Sequence, residues 1–212
     1  MRLGKIKAPA LPESSGVIAT AFAVLIKVLR LYFTRIDDGY NQLVGNNGGR
    51  FLEAPNGLFF DLGDQALAVI NTAQPVRFNQ TYLNNGVSIN GVTTSEITVE
   101  HGGVYNFQVS ARAVSGSGST KTLWMWINRN GTDVGYSTKE YTVAGSGKEL
   151  ELVWNFTIDV LAGQYIQMKW TANDINVSLD FTAATSPHPG IPSAVVAVHY
   201  VSALPNILPV LP

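Results

Sequence analysis

From residue 22 to residue 43, apolar side chains recur at alternating spacings of four and three: Phe22, Ile26, Leu29, Phe33, Ile36, Tyr40 and Leu43, with Ala19 extending the series backward. An α-helix has 3.6 residues per turn, so a seven-residue repeat draws a seam along one face, of the kind parallel helices bury against one another. Val17, Ile18, Leu25, Val28 and Tyr32 widen the apolar surface beyond that seam. A wide face suits three or more helices, a helix wedged against a partner, or an ordinary amphipathic helix packed on its own domain. Ser14 or Ser15 can cap the start. Gly39 weakens the helix, and the run Gly45-Asn46-Asn47-Gly48-Gly49 stops it.

Beyond residue 60 the period changes to two. Tyr105, Phe107, Val109, Ala111 and Ala113 alternate with polar residues, and Leu150, Leu152, Trp154, Phe156, Ile158 and Val160 share one face. Ile166, Met168 and Trp170 repeat the pattern, as do Val177, Leu179, Phe181 and Ala183. Successive strand side chains point to opposite faces, so alternation marks half-buried strands. Turn-rich stretches separate them: Ser115–Ser119, Asn130-Gly131, Ala144–Gly147 and Ser186–Pro192. Many short strands at such spacing predict a sandwich or barrel. The expected organisation is an extended arm (residues 1–15, with Pro9 and Pro12), a helix (16–44), a Gly/Asn linker (45–60), a β-domain (61–204) and a Pro-rich tail (205–212). The tail, Ala203–Pro212 at its fullest, is apolar and uncharged, and such a segment needs a groove to lie in.

Composition sharpens this. The chain is 46% hydrophobic and only 14% charged, against about 25% charged in an average soluble domain, which suits surfaces covered by neighbours. Residues 1–36 hold six basic groups (Arg2, Lys5, Lys7, Lys27, Arg30, Arg35) against one acid, Glu13; the remainder is acidic. The basic segment suits an acidic protein surface, nucleic acid, or simply a solvated helix face. The main domain lacks the basic stripe of a nucleic-acid binder, so no nucleic-acid partner is expected. There is no cysteine, which removes disulfides and thiolate metal sites and fits assembly in a reducing cytoplasm. The apolar run Val17–Ile26 is too short to span a bilayer, which takes about 20 residues, and it has no cleavage site after it; neither export signal nor membrane insertion is expected.

Three stretches carry a resemblance. His101–Ala111 (HGGVYNFQVSA) resembles the PGVYxF strand of the complement/tumour-necrosis-factor jelly-roll family, with Gly102 near the place of the family proline. Asn128–Val134 (NRNGTDV) resembles its NG hairpin. Val160–Met168 (VLAGQYIQM) resembles its LxxGD hairpin, with Gln164 in place of the aspartate. The likeness covers roughly residues 61–204. The chain also resembles tailed-phage structural proteins in which a short, proline-flanked helical N-terminus precedes such a domain. The resemblance implies a mainly β chain with a ten-stranded jelly-roll sandwich behind a coiled-coil-like helix, assembled as a homotrimer. It implies a virion protein assembled in the host cytoplasm: a capsid decoration or short head or tail fibre, attached to other virion proteins by arm and helix. The competing expectation is an extracellular cytokine-like or lectin-like module.

Chemistry-bearing motifs are sparse. His101, His188 and His199 lie far apart in sequence, and no G-x-S-x-G elbow or P-loop occurs. No enzymatic activity, cofactor or metal is expected; Asp174 and Asp180 are the nearest approach to a calcium pair. Trp124 and Trp126 share a face opposite Leu123, Met125 and Ile127. A strand apolar on both faces is covered on both, so the two tryptophans join the seam (Phe22 to Leu43) as expected trimer or anchor interface, with a sugar-binding platform as alternative. Host contact, to a surface glycan or protein, is expected on the loops at Ser115, Ser117, Ser119, Asn130, Asp133, Ser146 and Lys148.

Overall fold

The computed structural model describes residues 17–44 and 54–204, and the chain divides into two units, Met1–Ala54 and Pro55–Pro212. In the first, helix α1 spans Val17–Val44. No proline interrupts it, and Ala, Leu and Ile dominate its first half. Its first turn has no acid and its last no base, so nothing at its ends offsets the helix dipole. Most of its described side chains are exposed, among them Phe22 (47%), Val28 (59%) and Leu31 (58%). Among the described residues no helix is long and apolar enough to cross a membrane. Residues 1–16, 45–53 and 205–212, and with them the expected arm, much of the linker and the tail, lie outside the described residues.

The second unit is mainly β. Its strands are β1 Asn56–Asp61, β2 Gln65–Ala66, β3 Gln74–Pro75, β4 Gln80–Asn85, β5 Val87–Ile89, β6 Ile97–Val99, β7 Gly103–Ser115, β8 Lys121–Arg129, β9 Thr132–Asp133, β10 Lys139–Val143, β11 Lys148–Val160, β12 Tyr165–Ala172, β13 Val177–Leu179 and β14 Ala194–Ser202. All pairings are antiparallel, in two sheets. The first runs β4-β1-β14-β7-β11, with β13 and β2 continuing beyond the end of β14. The second runs β5-β6-β12-β8-β10, with β3 and β9 as short additions. The described residues thus form fourteen strand segments, where ten were expected.

Alternation builds the core. Tyr105, Phe107, Val109, Ala111 and Ala113 of β7 face inward across from Ile158, Phe156, Trp154, Leu152 and Leu150 of β11. Phe107 and Phe156 stack with centroids 5.0 Å apart, and Trp154 tilts against Phe156 at 4.8 Å. The second sheet contributes Leu123, Met125, Ile166, Met168 and Trp170, all fully buried. Each large side chain so buried is worth about 1.5–3 kcal/mol.

Two expectations change here. β1 occupies residues 56–61, inside the stretch expected to be linker. Its inward positions are Gly57, Phe59 and Asp61, so only one of the three is a large apolar residue and no alternation is visible. The strand expected through Phe181 and Ala183 ends at Leu179; the following segment folds back on itself through Thr182–Ile191 and Thr185–His188 bridges.

The unit has two ends. At one, β1 begins and β14 finishes side by side: Asn56 pairs with His199, and the Tyr200 amide donates to the Pro55 carbonyl at 3.0 Å. At the other, β7, β10 and β12 finish and β8, β11 and β13 begin. β4 is an edge strand whose six residues are all exposed, and its register with β1 shifts between Leu58 and Phe59. A bulge of this kind twists an edge away from further pairing.

Candidate functional site

Three surfaces collect the residues singled out by sequence. The first is the α1 seam. Phe22, Leu29, Phe33 and Ile36 are exposed and Ile26 is half-buried, so the stripe meets solvent in the single chain. Tyr40 and Leu43 belong to α1 by backbone; their side chains lie outside the described residues.

The second is the loop cluster at the end away from Pro55. Ser115–Lys121 and Ala144–Lys148 meet there: the Gly147 amide donates to the Ser115 carbonyl at 2.7 Å, and the Ser146 hydroxyl to the Gly116 carbonyl at 3.4 Å. Residues 173–176 join them. The Gly116 amide donates to the Asn176 carbonyl at 2.8 Å, and the Thr122 amide to Asn173 Oδ1 at 3.0 Å. Lys121 forms an ion pair with Asp174, and this hydrogen bond holds the Asp174 carboxyl down at about 2. Asp174 Oδ1 also accepts from the Asn176 amide at 2.8 Å. Asp174 is therefore committed to an ammonium and a turn, and Asp180 lies near Arg112 rather than beside it. Among the described residues no three metal-ligating side chains converge.

Asn130 and Asp133, expected in the same contact region, stand elsewhere. The β8–β9 hairpin turns at Asn130-Gly131, with φ of 48° and 87°, at the Pro55 end. Two consecutive positive φ angles need this Asn-Gly pair. The chain reversals alternate between ends along a sandwich, so the loops before and after β8 point opposite ways.

The third comprises the two outer sheet faces. On the first sheet, Leu83, Leu58, Ala197, Phe60, Val195 and Val153 run from β4 across to β11, interrupted at β7 by Gln108 and Ser110. Leu83 and Val153 are 47% and 68% exposed. Sequence reading missed this apolar band, because each strand contributes only one or two members and the register that unites them is long-range.

On the second sheet, Trp124 and Trp126 face outward and are partly exposed, so the chain itself does not cover them fully. Trp124 Nε1 donates to Glu140 Oε2 at 2.9 Å, and the Trp126 indole lies close enough to Asp133 to favour its charged form. Asn128 donates to Asp133 Oδ1 at 2.7 Å. Asn128 and Trp126 together hold the Asp133 carboxyl below the usual range. The register places Thr171 and Glu140 beside Trp124, Lys169 beside Trp126, and Thr142 beside Thr122. Nearer the Pro55 end the face is closed: Gln167 and Asn128 are buried, and Gln167 Nε2 donates to Ser95 at 2.9 Å. Tyr136 stands on the turn between β9 and β10, fully exposed with φ of 60°. That turn is tied back to β8, where the Ile127 amide donates to Ser137 Oγ at 3.1 Å.

No family model and no curated protein matches the chain. Among solved structures it is similar to the globular domain of zebrafish complement 1qA protein, at 14% identity over 71% of this chain and 99% of that one, with a TM-score of 0.46.

Proposed function

We propose that the chain is a homotrimeric, non-enzymatic virion protein of a tailed phage, presenting a ten-stranded jelly roll on the particle as a capsid decoration or short head or tail fibre. What supports the jelly-roll reading is the pair of antiparallel sheets of seven strand segments each, in which β2, β3, β9 and β13 are segments of only two or three residues. The observation that carries self-association is the apolar surface this single chain leaves uncovered, on α1 and across the outer face of the first sheet. A helix in a protein draws most of its stability from packing its apolar face, so α1 supports the reading by needing partners for its seam. The arm and α1 are the attachment elements, and the loop cluster at the end away from Pro55 is the host-contact region. An extracellular cytokine-like or lectin-like module is the second reading, and the outward tryptophans favour its lectin-like form.

Sedimentation equilibrium should return three times the 22.8 kDa chain mass. A monomer persisting at micromolar concentration would remove the trimer. Cryo-EM of particles carrying the protein should place its threefold density on a shell or tail; secretion of the free protein with no particle association would favour the second reading.

A further inference from the structure

We propose that the outer face of the second sheet, centred on Trp124 and Trp126, binds a neutral β-linked pyranose chain, with Tyr136 on the adjoining β9–β10 turn as a further ring for it. The site differs from the loop cluster proposed for host contact, and it does not depend on the oligomeric state.

The two outer faces differ in chemistry. The first sheet offers aliphatic side chains, the material of a dry protein contact. The second offers two indoles set among two hydroxyls, an ammonium and two carboxylates, from Thr122, Thr142, Lys169, Glu140 and Asp133, while the Thr171 hydroxyl beside Trp124 is buried. A protein interface centred here would desolvate Glu140 and Lys169 without giving either a new ionic partner, which is costly. A pyranose makes the opposite demand. Its C–H-rich face packs on an aromatic ring, while its hydroxyl belt hydrogen-bonds to polar groups beside that ring, which is the amphipathic use to which tryptophan is suited.

One ring is also held in place. The Trp124 indole N–H is tied to Glu140 on the neighbouring strand, so the orientation of that ring is fixed before any ligand arrives, lowering the ordering cost of binding. The two residues are next-but-one on one strand, roughly 7 Å apart, a separation that spans successive sugar rings in an extended chain. Tyr136 adds an independent observation. A non-glycine residue at φ 60° is uncommon, and here that backbone holds an aromatic ring wholly in solvent on a turn anchored to β8. Nothing in the sandwich uses that ring.

The test uses the intact chain titrated with β-1,4-linked glucose and N-acetylglucosamine hexasaccharides, read by tryptophan fluorescence. Trp154 and Trp170 are buried and should stay silent, so a change in emission reports on Trp124 and Trp126. Trp126→Ala should weaken binding by about tenfold or more. Tyr136→Ala removes a ring that packs on nothing, so its fold is not at stake, and it should weaken binding as well. An absence of any emission change with both saccharides overturns the proposal. So does binding that survives both substitutions, or a Trp124→Ala, Trp126→Ala pair that lowers the sedimenting mass, since the face would then be a contact between copies of this chain.

Discussion

Asp61 closes the inward face of β1, 2% exposed, beneath Gln65 and Ser193. Gln65 Nε2 donates to Asp61 Oδ2 at 2.8 Å and Gln65 Oε1 accepts from the Arg77 amide at 2.8 Å, so one glutamine links β1 to the segment before β4. Burial raises the Asp61 pKa above 3.8, outweighing Arg77 and the hydrogen bonds that lower it. The folded chain therefore holds the proton more tightly than the unfolded chain does, and the contribution of this group to stability falls as pH rises from 3.8 through the folded value. Asp61→Asn lacks the titration, so chemical denaturation at a series of pH values should find the variant gaining on the wild type as pH rises. Parallel stability profiles would sink this account. Asp174 behaves oppositely. Its pKa lies at about 2, below the ordinary 3.8, chiefly because of Lys121. The stability it supplies is complete above 3.8 and is lost as pH falls through about 2. Lys121→Met should flatten thermal melting midpoints across that acid range; an unchanged acid limb would show that the pair contributes nothing. Neither role was legible in sequence, since nothing in the sequence singles out Asp61, and Asp174 reads as a possible calcium ligand, until the register supplies their partners.

Elements were legible in proportion to their length. β7, β11 and β12 show alternation because eight or more consecutive residues sample both faces several times, whereas β14 is apolar on both faces over Ala194–Val198 and shows none. β2, β3, β5, β6 and β9 have two or three residues each, too few to display any period, and the period that begins at Val177 continues in the sequence past Leu179, where β13 ends. α1 announced itself through the heptad spacing, which is a property of one continuous segment. The apolar band of the first sheet is assembled from four strands, β4, β1, β14 and β11, and has no signature in any of them. The seam makes the sharper prediction. Leu29→Asp with Phe33→Asp places two carboxylates in the stripe. If copies of α1 bury it, unpaired charge there costs several kcal/mol, and sedimentation should show the assembly weakened while far-ultraviolet circular dichroism keeps its β signal. Unaltered assembly would mean that the stripe is not an interface.

At the scale of the molecule, the β-unit sorts its surfaces by end and by face. The cluster of Ser117, Ser119, Ser146 and Lys148 stands at the end away from Pro55, whereas Asn130 and Asp133 stand at the other. The sequence reveals that these stretches turn, through their Gly, Ser and Asn content, and because one strand, β8, separates the first two of them, they emerge at opposite ends. Ser115 is fully buried at the end of β7 and so cannot itself make a host contact; exchanging Gly116–Ser119 and Ala144–Gly147 for unrelated turns should leave particle yield intact and reduce adsorption to host cells. Adsorption at the wild-type level would remove the host-contact role from this end.

The adjacency of Pro55 and Tyr200 has a practical corollary. A body whose first and last strands start and stop side by side can be spliced into a loop of an unrelated protein with little disturbance to either, because the gap to be bridged is short. The same closeness means that a brief peptide can join residue 204 to residue 55 and the chain can be reopened at Gly118, giving a circularly permuted sandwich with every strand pairing retained. In it, the loop cluster would carry the free termini, and a cargo fused there would emerge from the opposite pole of the sandwich.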